Sequence, residues 1–215
     1  MRSLVASVGA TCALFLLPGT SSSAGVGNAD VAALQVALRA ASTYSGTIDG
    51  WRGPRTDEAL VAFQSAAGLE PDGIVGPRTR KAFGALGRGE LGARRLAVGA
   101  RGWDVSELQF RLAWHGFPSG PFDGVYGPRL QAAVRRFQRF AHLPRLGIAG
   151  PRTVASLGRA RPRCPLSLDW PVSGALGDGF GPRGNAFHAG LDFVAGAGTP
   201  VASARAGRVV WAGPR

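Results

Sequence analysis

Apolar residues recur at steps of three and four through the first two thirds of the chain, and they alternate near its end. Val31, Leu34 and Leu38 mark one face of a helix, and Val105, Leu108 and Leu112 mark the same face of another. Gly53-Pro54 opens a second helix, since proline suits a first position whose N–H needs no partner. Asp57 and Glu58 follow where carboxylates favour the helix dipole. Ala59, Phe63 and Ala66 are the predicted buried face, with Ala133, Phe137 and Phe140 as their later counterparts. A short third helix is predicted to start at Pro77, and again at Pro151. From Leu168 the period changes to two. Phe187, Ala189, Leu191 and Phe193 alternate with His188, Gly190 and Asp192, and Gly207 to Gly213 reads as a further strand.

The helical pattern is a duplication. At an offset of 74 residues (Asp49 against Asp123), Asp30-Val31 matches Asp104-Val105, Leu34-Gln35 matches Leu108-Gln109, and Phe63-Gln64 matches Phe137-Gln138. No gap is needed, and a long gapless period defines the architecture. Asp49-Gly50-Trp51-Arg52-Gly53-Pro54-Arg55 recurs as Asp123-Gly124-Val125-Tyr126-Gly127-Pro128-Arg129. The same loop returns inside the first copy as Asp72-Gly73-Ile74-Val75-Gly76-Pro77-Arg78. Asp-Gly makes a tight turn and Gly-Pro starts the next helix, so the loop chemistry is structural. Two three-helix modules are expected, at residues 29–87 and 98–158. The stretch Gly87 to Arg95 and a basic linker at 159–167 read as exposed connectors.

Leu-Gln on the first helix, Asp-Gly-x-x-Gly-Pro-x-Thr, then Ala-x-x-x-Phe-Gln resembles the small three-helix peptidoglycan-binding domain of bacterial wall enzymes. The second copy departs from it at Leu130, against Thr56, and at Leu146, against Asp72. Gln35, Gln64, Gln109 and Gln138 are expected half-buried and bonded to loop backbone. Trp51 and Tyr126 are placed at loop tips, where an amphipathic ring can stack on a sugar. Arg52, Arg55 and Arg129 beside them can pair with carboxylates of the peptide stems. The competing reading has these aromatics covering a small core. His115 and His142 have no partner at ligand spacing and read as surface or packing residues.

Met1-Arg2, the apolar run Leu4 to Leu17, and small residues up to Ala24 read as a secretory signal peptide over 1–24. The run is shorter than the roughly 20 residues of a spanning helix, and no later segment is apolar enough, so no integral membrane segment is expected after cleavage. The net charge is +12, and Lys81 is the one lysine among 25 basic residues. The arginine bias reads as a GC-rich genome. The charge still favours polyanions, which for an exported protein means anionic wall polymers and not nucleic acid. Cys12 lies in the signal, leaving Cys164 alone in the mature chain, in a context unlike a catalytic nucleophile.

His188-x-x-x-Asp192 offers a nitrogen and a carboxylate to a metal. In a fully extended strand their Cα atoms would lie about 13 Å apart, so a bend is expected, with Gly190 permitting it. The wider string, from Trp170-Pro171-Val172 through Gly179-Phe180-Gly181-Pro182-Arg183 and His188 to Asp192 to Gly198-Thr199-Pro200-Val201, resembles the lysostaphin-like zinc endopeptidases. That resemblance implies Zn²⁺ held by His188 and Asp192, and hydrolysis of peptidoglycan peptides. The family's later His-x-His has no counterpart, because no histidine follows His188. We favour reading residues 168–215 as the N-terminal part of such a domain in a fragment of a longer enzyme. The alternative is a natural truncation that acts as a non-catalytic peptidoglycan-binding protein or a metal-free regulator of other wall hydrolases. The expected fold is thus multidomain α + β: two all-α modules, then a partial, mainly antiparallel-β domain. The protein is expected to be secreted, with peptidoglycan as its partner.

Overall fold

In the computed structural model, which describes residues 27–159 and 169–207, each copy of the repeat forms two long helices and a short one. The first copy holds α1 (Ala29–Ala40), α2 (Pro54–Ala66) and α3 (Pro77–Ala82), with a turn of 3₁₀ helix at Gly84–Gly87. The second holds α4 (Trp103–Trp114), α5 (Pro128–Phe140) and α6 (Pro151–Leu157). Asn28 caps α1 by accepting from the Asp30 N–H at 2.8 Å. Helices α2, α3, α5 and α6 each follow an extended glycine and start on proline.

The repeated apolar positions make two cores. Leu34, Leu38, Leu60 and Phe63 pack in module 1, where the Phe63 and Phe83 rings stack at 4.0 Å. Val105, Leu108, Leu112, Leu130, Val134 and Phe137 pack in module 2. Ala66 and Phe140 do not join them. Both are exposed, Phe140 by 50%. Both sit in the last turn of their helices, one heptad on from the buried Ala59 and Ala133, where the core no longer covers them.

Helix α1 is buried on two sides, which a single apolar stripe does not anticipate. Leu34 and Leu38 face their own core, while Ala29, Ala32 and Val36 pack with Phe110 and Ala113 of α4. The modules therefore share a seam. Trp103, at the start of α4, is buried in the core of module 1, and its Nε1–H donates to Asp30 Oδ1 at 2.7 Å. The Arg80 guanidinium lies 4.4 Å above that ring.

The stretch between the modules is exposed at Arg88, Glu90 and Ala93 to Arg95, as its composition suggests, but it is also tied to the helices. The buried Asp104 carboxylate takes a two-pronged contact from Arg94, Nε to Oδ2 at 2.7 Å and Nη2 to Oδ1 at 3.1 Å. The Trp103 N–H donates to the Arg88 carbonyl at 2.7 Å, and buried Leu96 bridges Ala149. Arg94 thus spends its charge on a buried carboxylate while its own side chain stays half in solvent.

The described residues divide into two compact bodies, 27–159 with Gly179–Leu191, and 169–178 with 192–207. Residues of the expected partial domain at 168–215 fall in both bodies. In the first body, β2 (Gly181–Arg183) and β3 (Ala186–His188) form an antiparallel hairpin in which Gly181 faces His188. The Ile48 N–H donates to the Gly184 carbonyl and the Phe122 N–H to the Asn185 carbonyl, both at 2.8 Å. Phe187 is buried among Ile48, Phe110 and Phe122, and its ring meets Trp114 at 5.3 Å. The aromatic side of the hairpin thus packs on the helices. In the second body, β1 (Ala175–Leu176) pairs antiparallel with β4 (Phe193–Val194), and Trp170 stands edge-on to Phe193 at 5.2 Å. The alternating run from Phe187 to Phe193 is therefore two strands in two sheets, with a bend at Gly190 between them.

Among the described residues no helix is long and apolar enough to cross a membrane. The signal segment 1–24, both cysteines, most of the basic linker and the strand expected from Gly207 to Gly213 lie outside the described residues, apart from Arg159 and Gly207 themselves.

Candidate functional site

Four buried glutamines build the loops. Gln35 Oε1 accepts from the Gly50 N–H at 2.9 Å, while its Nε2 donates to Asp49 Oδ1 at 2.8 Å and the Trp51 carbonyl at 3.1 Å. Gln64 repeats this with Gly73 at 2.9 Å, Asp72 at 2.8 Å and Ile74 at 3.0 Å. Gln109 does so with Gly124 at 2.9 Å, Asp123 at 2.7 Å and Val125 at 3.4 Å. Gln138 holds Gly147 at 2.9 Å, Ile148 at 2.9 Å and Thr153 Oγ1 at 3.2 Å. The bonding to loop backbone is as expected, but all four side chains are fully buried, not half-buried. A primary amide suits the place because it offers a donor and an acceptor to a turn whose own groups would otherwise be buried unpaired. The four glycines have φ between 66° and 74°, which is why the turn uses glycine.

The aspartates have a second task. The same Oδ1 accepts from the N–H two residues on, at Trp51 (2.9 Å), Ile74 (2.8 Å) and Val125 (2.9 Å). For Asp72 the Ile74 N–H and then Gln64 hold the carboxyl below its ordinary value. The fourth loop has Leu146 at this position, 56% exposed, so no carboxylate caps the Ile148 N–H.

Clefts lie at three of the four clasped loops, each between the loop and the proline-led helix after it. In module 1 a cleft of about 430 Å³ is lined by Gln64, Glu70, Asp72, Ile74, Arg78 and Thr79, among others. Its counterpart in module 2, about 380 Å³, is lined by Gln138, Leu143, Leu146, Ile148, Arg152 and Thr153, with Arg95 from the inter-module stretch. A third cleft, about 410 Å³, lies over the first loop of module 2 and includes Gln109, Ser119, Asp123, Val125 and Arg129.

The residues singled out as glycan contacts fall into two groups. Trp51 is 50% exposed, and Arg55 and Arg129 are exposed on the first turns of α2 and α5. Arg129 lines the third cleft, and Trp51 and Arg55 hold the places in module 1 that correspond to Val125 and Arg129. Tyr126 is not at a loop tip. It is fully buried, its hydroxyl donates to the Gly147 carbonyl at 2.9 Å, and burial pushes its phenol pKa well up. The offset of 74 pairs Tyr126 with Arg52, not with Trp51. Arg52 makes the same tie, donating from Nη2 to the Gly73 carbonyl at 2.6 Å while its Nε pairs with Asp57 at 2.6 Å. Each fastens the first loop of its module to the glycine of the second. Strict register was the signal that could have shown this equivalence from sequence. His115 Nε2 lies 2.9 Å from the Leu157 carbonyl and its ring packs on Phe137, while His142 is exposed.

His188 ends β3, and its Nδ1 is 2.9 Å from the Gly179 carbonyl. A carbonyl only accepts, so Nδ1–H donates there, the kind of contact that orients a metal-binding imidazole. Asp192 falls in the other body, where its backbone N–H donates to Asp178 and its carbonyl accepts from Gly177, both at 2.8 Å. Two ligands do not make a zinc site, which takes three or four from the protein. Among the described residues no group of three or more histidines, cysteines and carboxylates could hold a metal ion.

Comparison with known proteins bears on the helical part. Residues 27–83 and 101–157 each match the family described as "Putative peptidoglycan binding domain", together just over half of the chain. An N-acetylmuramoyl-L-alanine amidase, CwlM of Mycobacterium tuberculosis, is 43% identical over 105 residues, 47% of this chain and 26% of the relative. The amidase CwlL of Bacillus licheniformis is 34% identical over 163 residues, 65% of this chain and 45% of the relative. A spore cortex-lytic enzyme of Bacillus cereus is 47% identical over 62 residues, 29% of this chain and 24% of the relative. The chain thus spans between about a quarter and under half of the length of these relatives.

Proposed function

Because the chain belongs to the peptidoglycan-binding domain family, twice over, we propose that it is a wall-binding hydrolase component whose tandem modules hold it on peptidoglycan outside the cell. The carrying observation is the repeated clasped loop, which presents similar clefts from both modules. Relatives named as wall amidases and cortex-lytic enzymes support a lytic setting. The seam makes the pair one binding body, so a wall polymer meets the modules at fixed spacing. That lowers the ordering cost of engaging a second module after the first.

For the hydrolytic part, the reading we put forward is a zinc endopeptidase of the lysostaphin type, from the His188-to-Asp192 string. In it, Nε2 of His188 and the Asp192 carboxylate are two metal ligands, and further ligands must come from outside the described residues. Zinc, when bound in such a site, supplies Lewis-acid activation of water and of the scissile carbonyl. What this chain contributes is the imidazole held by the Gly179 carbonyl and the binding of the wall.

The test is release of stem peptides from purified sacculi, with zinc content measured after dialysis. Zinc retained at one equivalent, lost in His188→Ala, with peptide release to match, supports the endopeptidase. Release by cleavage of the muramoyl–alanine amide instead would favour an amidase. Binding without zinc and without release would leave the wall-binding role alone.

A further inference from the structure

The clasped loop at the end of module 2 lacks the aspartate that the other three carry. In the loops after α1, α2 and α4 an aspartate carboxylate takes two donors, the glutamine Nε2 and the N–H two residues on. After α5 the glutamine persists as Gln138, whose Nε2 donates to the Ile148 carbonyl and to Thr153 Oγ1, and Ile148 stands where the second donor N–H was, but the carboxylate is replaced by Leu146, whose side chain is mostly exposed. The charge around the cleft changes with it. The module 1 counterpart is lined by Glu70, Asp72 and Arg78; the module 2 cleft is lined by Arg95 and Arg152 with no carboxylate. Arg95 is delivered there by the Leu96–Ala149 bridge and lies beside Gly150. The remaining walls, Leu143, Leu146 and Ile148, are apolar.

We propose that this cleft binds a short acyl peptide through its free terminal carboxylate, which takes the place that the aspartate fills in the sister loops. The Ile148 N–H and the Gln138 amide meet the carboxylate, Arg95 and Arg152 neutralise it, and the leucine and isoleucine side chains take small alkyl side chains. A cleft of about 380 Å³ has room for about two small residues. The inference rests on the wall-binding reading and adds a substrate class to it, the uncrosslinked end of a peptide stem. It also makes the two modules unequal, because the Asp72 carboxylate already fills the corresponding place in module 1.

The test is amide NMR of the full chain titrated with N-acetyl-alanyl-alanine, in both chiralities, and with the C-terminally amidated peptide. The expected result is a shift of the Ile148 N–H and the Gln138 side-chain amide with the free acid, with at least tenfold weaker binding of the amidated form. Leu146→Asp, which restores the module 1 loop, should fold and lose the same tenfold. Arg152→Gln should weaken binding without disturbing the clasp. Equal binding of acid and amide, unchanged affinity in Leu146→Asp, or no shift at Ile148 each overturns the proposal. Sedimentation with sacculi separates this from failure of the wider reading: a chain that sediments but shows no Ile148 shift contradicts the cleft alone. A chain that binds the dipeptide but not sacculi contradicts the wall role.

Discussion

Module 1 and module 2 place the same glutamine, glycine turn and proline-led helix 74 residues apart, yet they solve the same local problems with different chemistry. Asp30 and Asp104 are equivalent. The first is exposed and receives the Trp103 indole across the seam, while the second is buried and receives the Arg94 fork. Arg52 and Tyr126 are equivalent too. One is an exposed ion with two partners, the other a buried phenol, and both end on the carbonyl of a loop glycine. Apart from the loop where Leu146 stands for Asp72, the copies keep the hydrogen-bond pattern of their loops and change the side chains that make it. Side chains vary as long as a donor reaches the same carbonyl.

The seam offers the strongest way to break the comparison. Trp103→Ala should cost about 4 kcal/mol in global stability, as for large aromatics removed from cores. Although Trp103 belongs to α4, the loss should appear in module 1, whose core it fills. Hydrogen exchange that rises first in α1 and α2 agrees with this; a loss confined to α4 and α5 does not. Arg94→Ala should cost about 2–3 kcal/mol, since it leaves the Asp104 carboxylate buried without its partner, tempered by the half-exposed Arg94. Asp30→Ala at the equivalent place should cost about 1 kcal/mol, the worth of the indole bond. Chemical denaturation of both variants checks the ranking, and equal costs would show that the seam does not distinguish the copies.

Much of this frame was legible in the sequence. The helical period, the proline starts and the duplication give the six helices, because these are local signals with a direct steric or hydrogen-bonding cause. What was not legible depends on partners distant in sequence. The double burial of α1 needs α4 to be in place, and the inward use of Arg94 needs Asp104. Tyr126 stands beside a turn, as an exposed ring would, whereas the glycine carbonyl that holds it belongs to the next loop. The alternation from Phe187 to Phe193 reads as one strand of the C-terminal part, because nothing local records that Phe187 belongs to a hairpin and packs on the helices.

Smaller effects sharpen the comparison. Tyr126→Phe should cost about 1 kcal/mol through loss of the bond to Gly147, with sacculus binding unchanged. Trp51→Ala should do the reverse, weakening sacculus binding severalfold with little change in thermal midpoint, since half of its side chain is in solvent. Asp72→Leu, which copies the module 2 loop into module 1, should show a pH signature. The Asp72 carboxyl is held below its ordinary value of 3.8, so its contribution is full above that pH and fades as pH falls through the lowered native value. The stability gap between wild type and Asp72→Leu should therefore close in acid, below about pH 4. A gap that persists there would mean the loop does not depend on the charge.

On the proposed reading, both modules place this chain on peptidoglycan through shaped clefts and not through its net charge of +12. The most direct measurement is sedimentation of the full chain with purified sacculi across a salt series, beside double-stranded DNA as a plain polyanion. The account predicts that the chain pellets with sacculi with little loss as salt rises, while any DNA binding falls steeply over the same range. Retention by sacculi that collapses in parallel with DNA binding would contradict it.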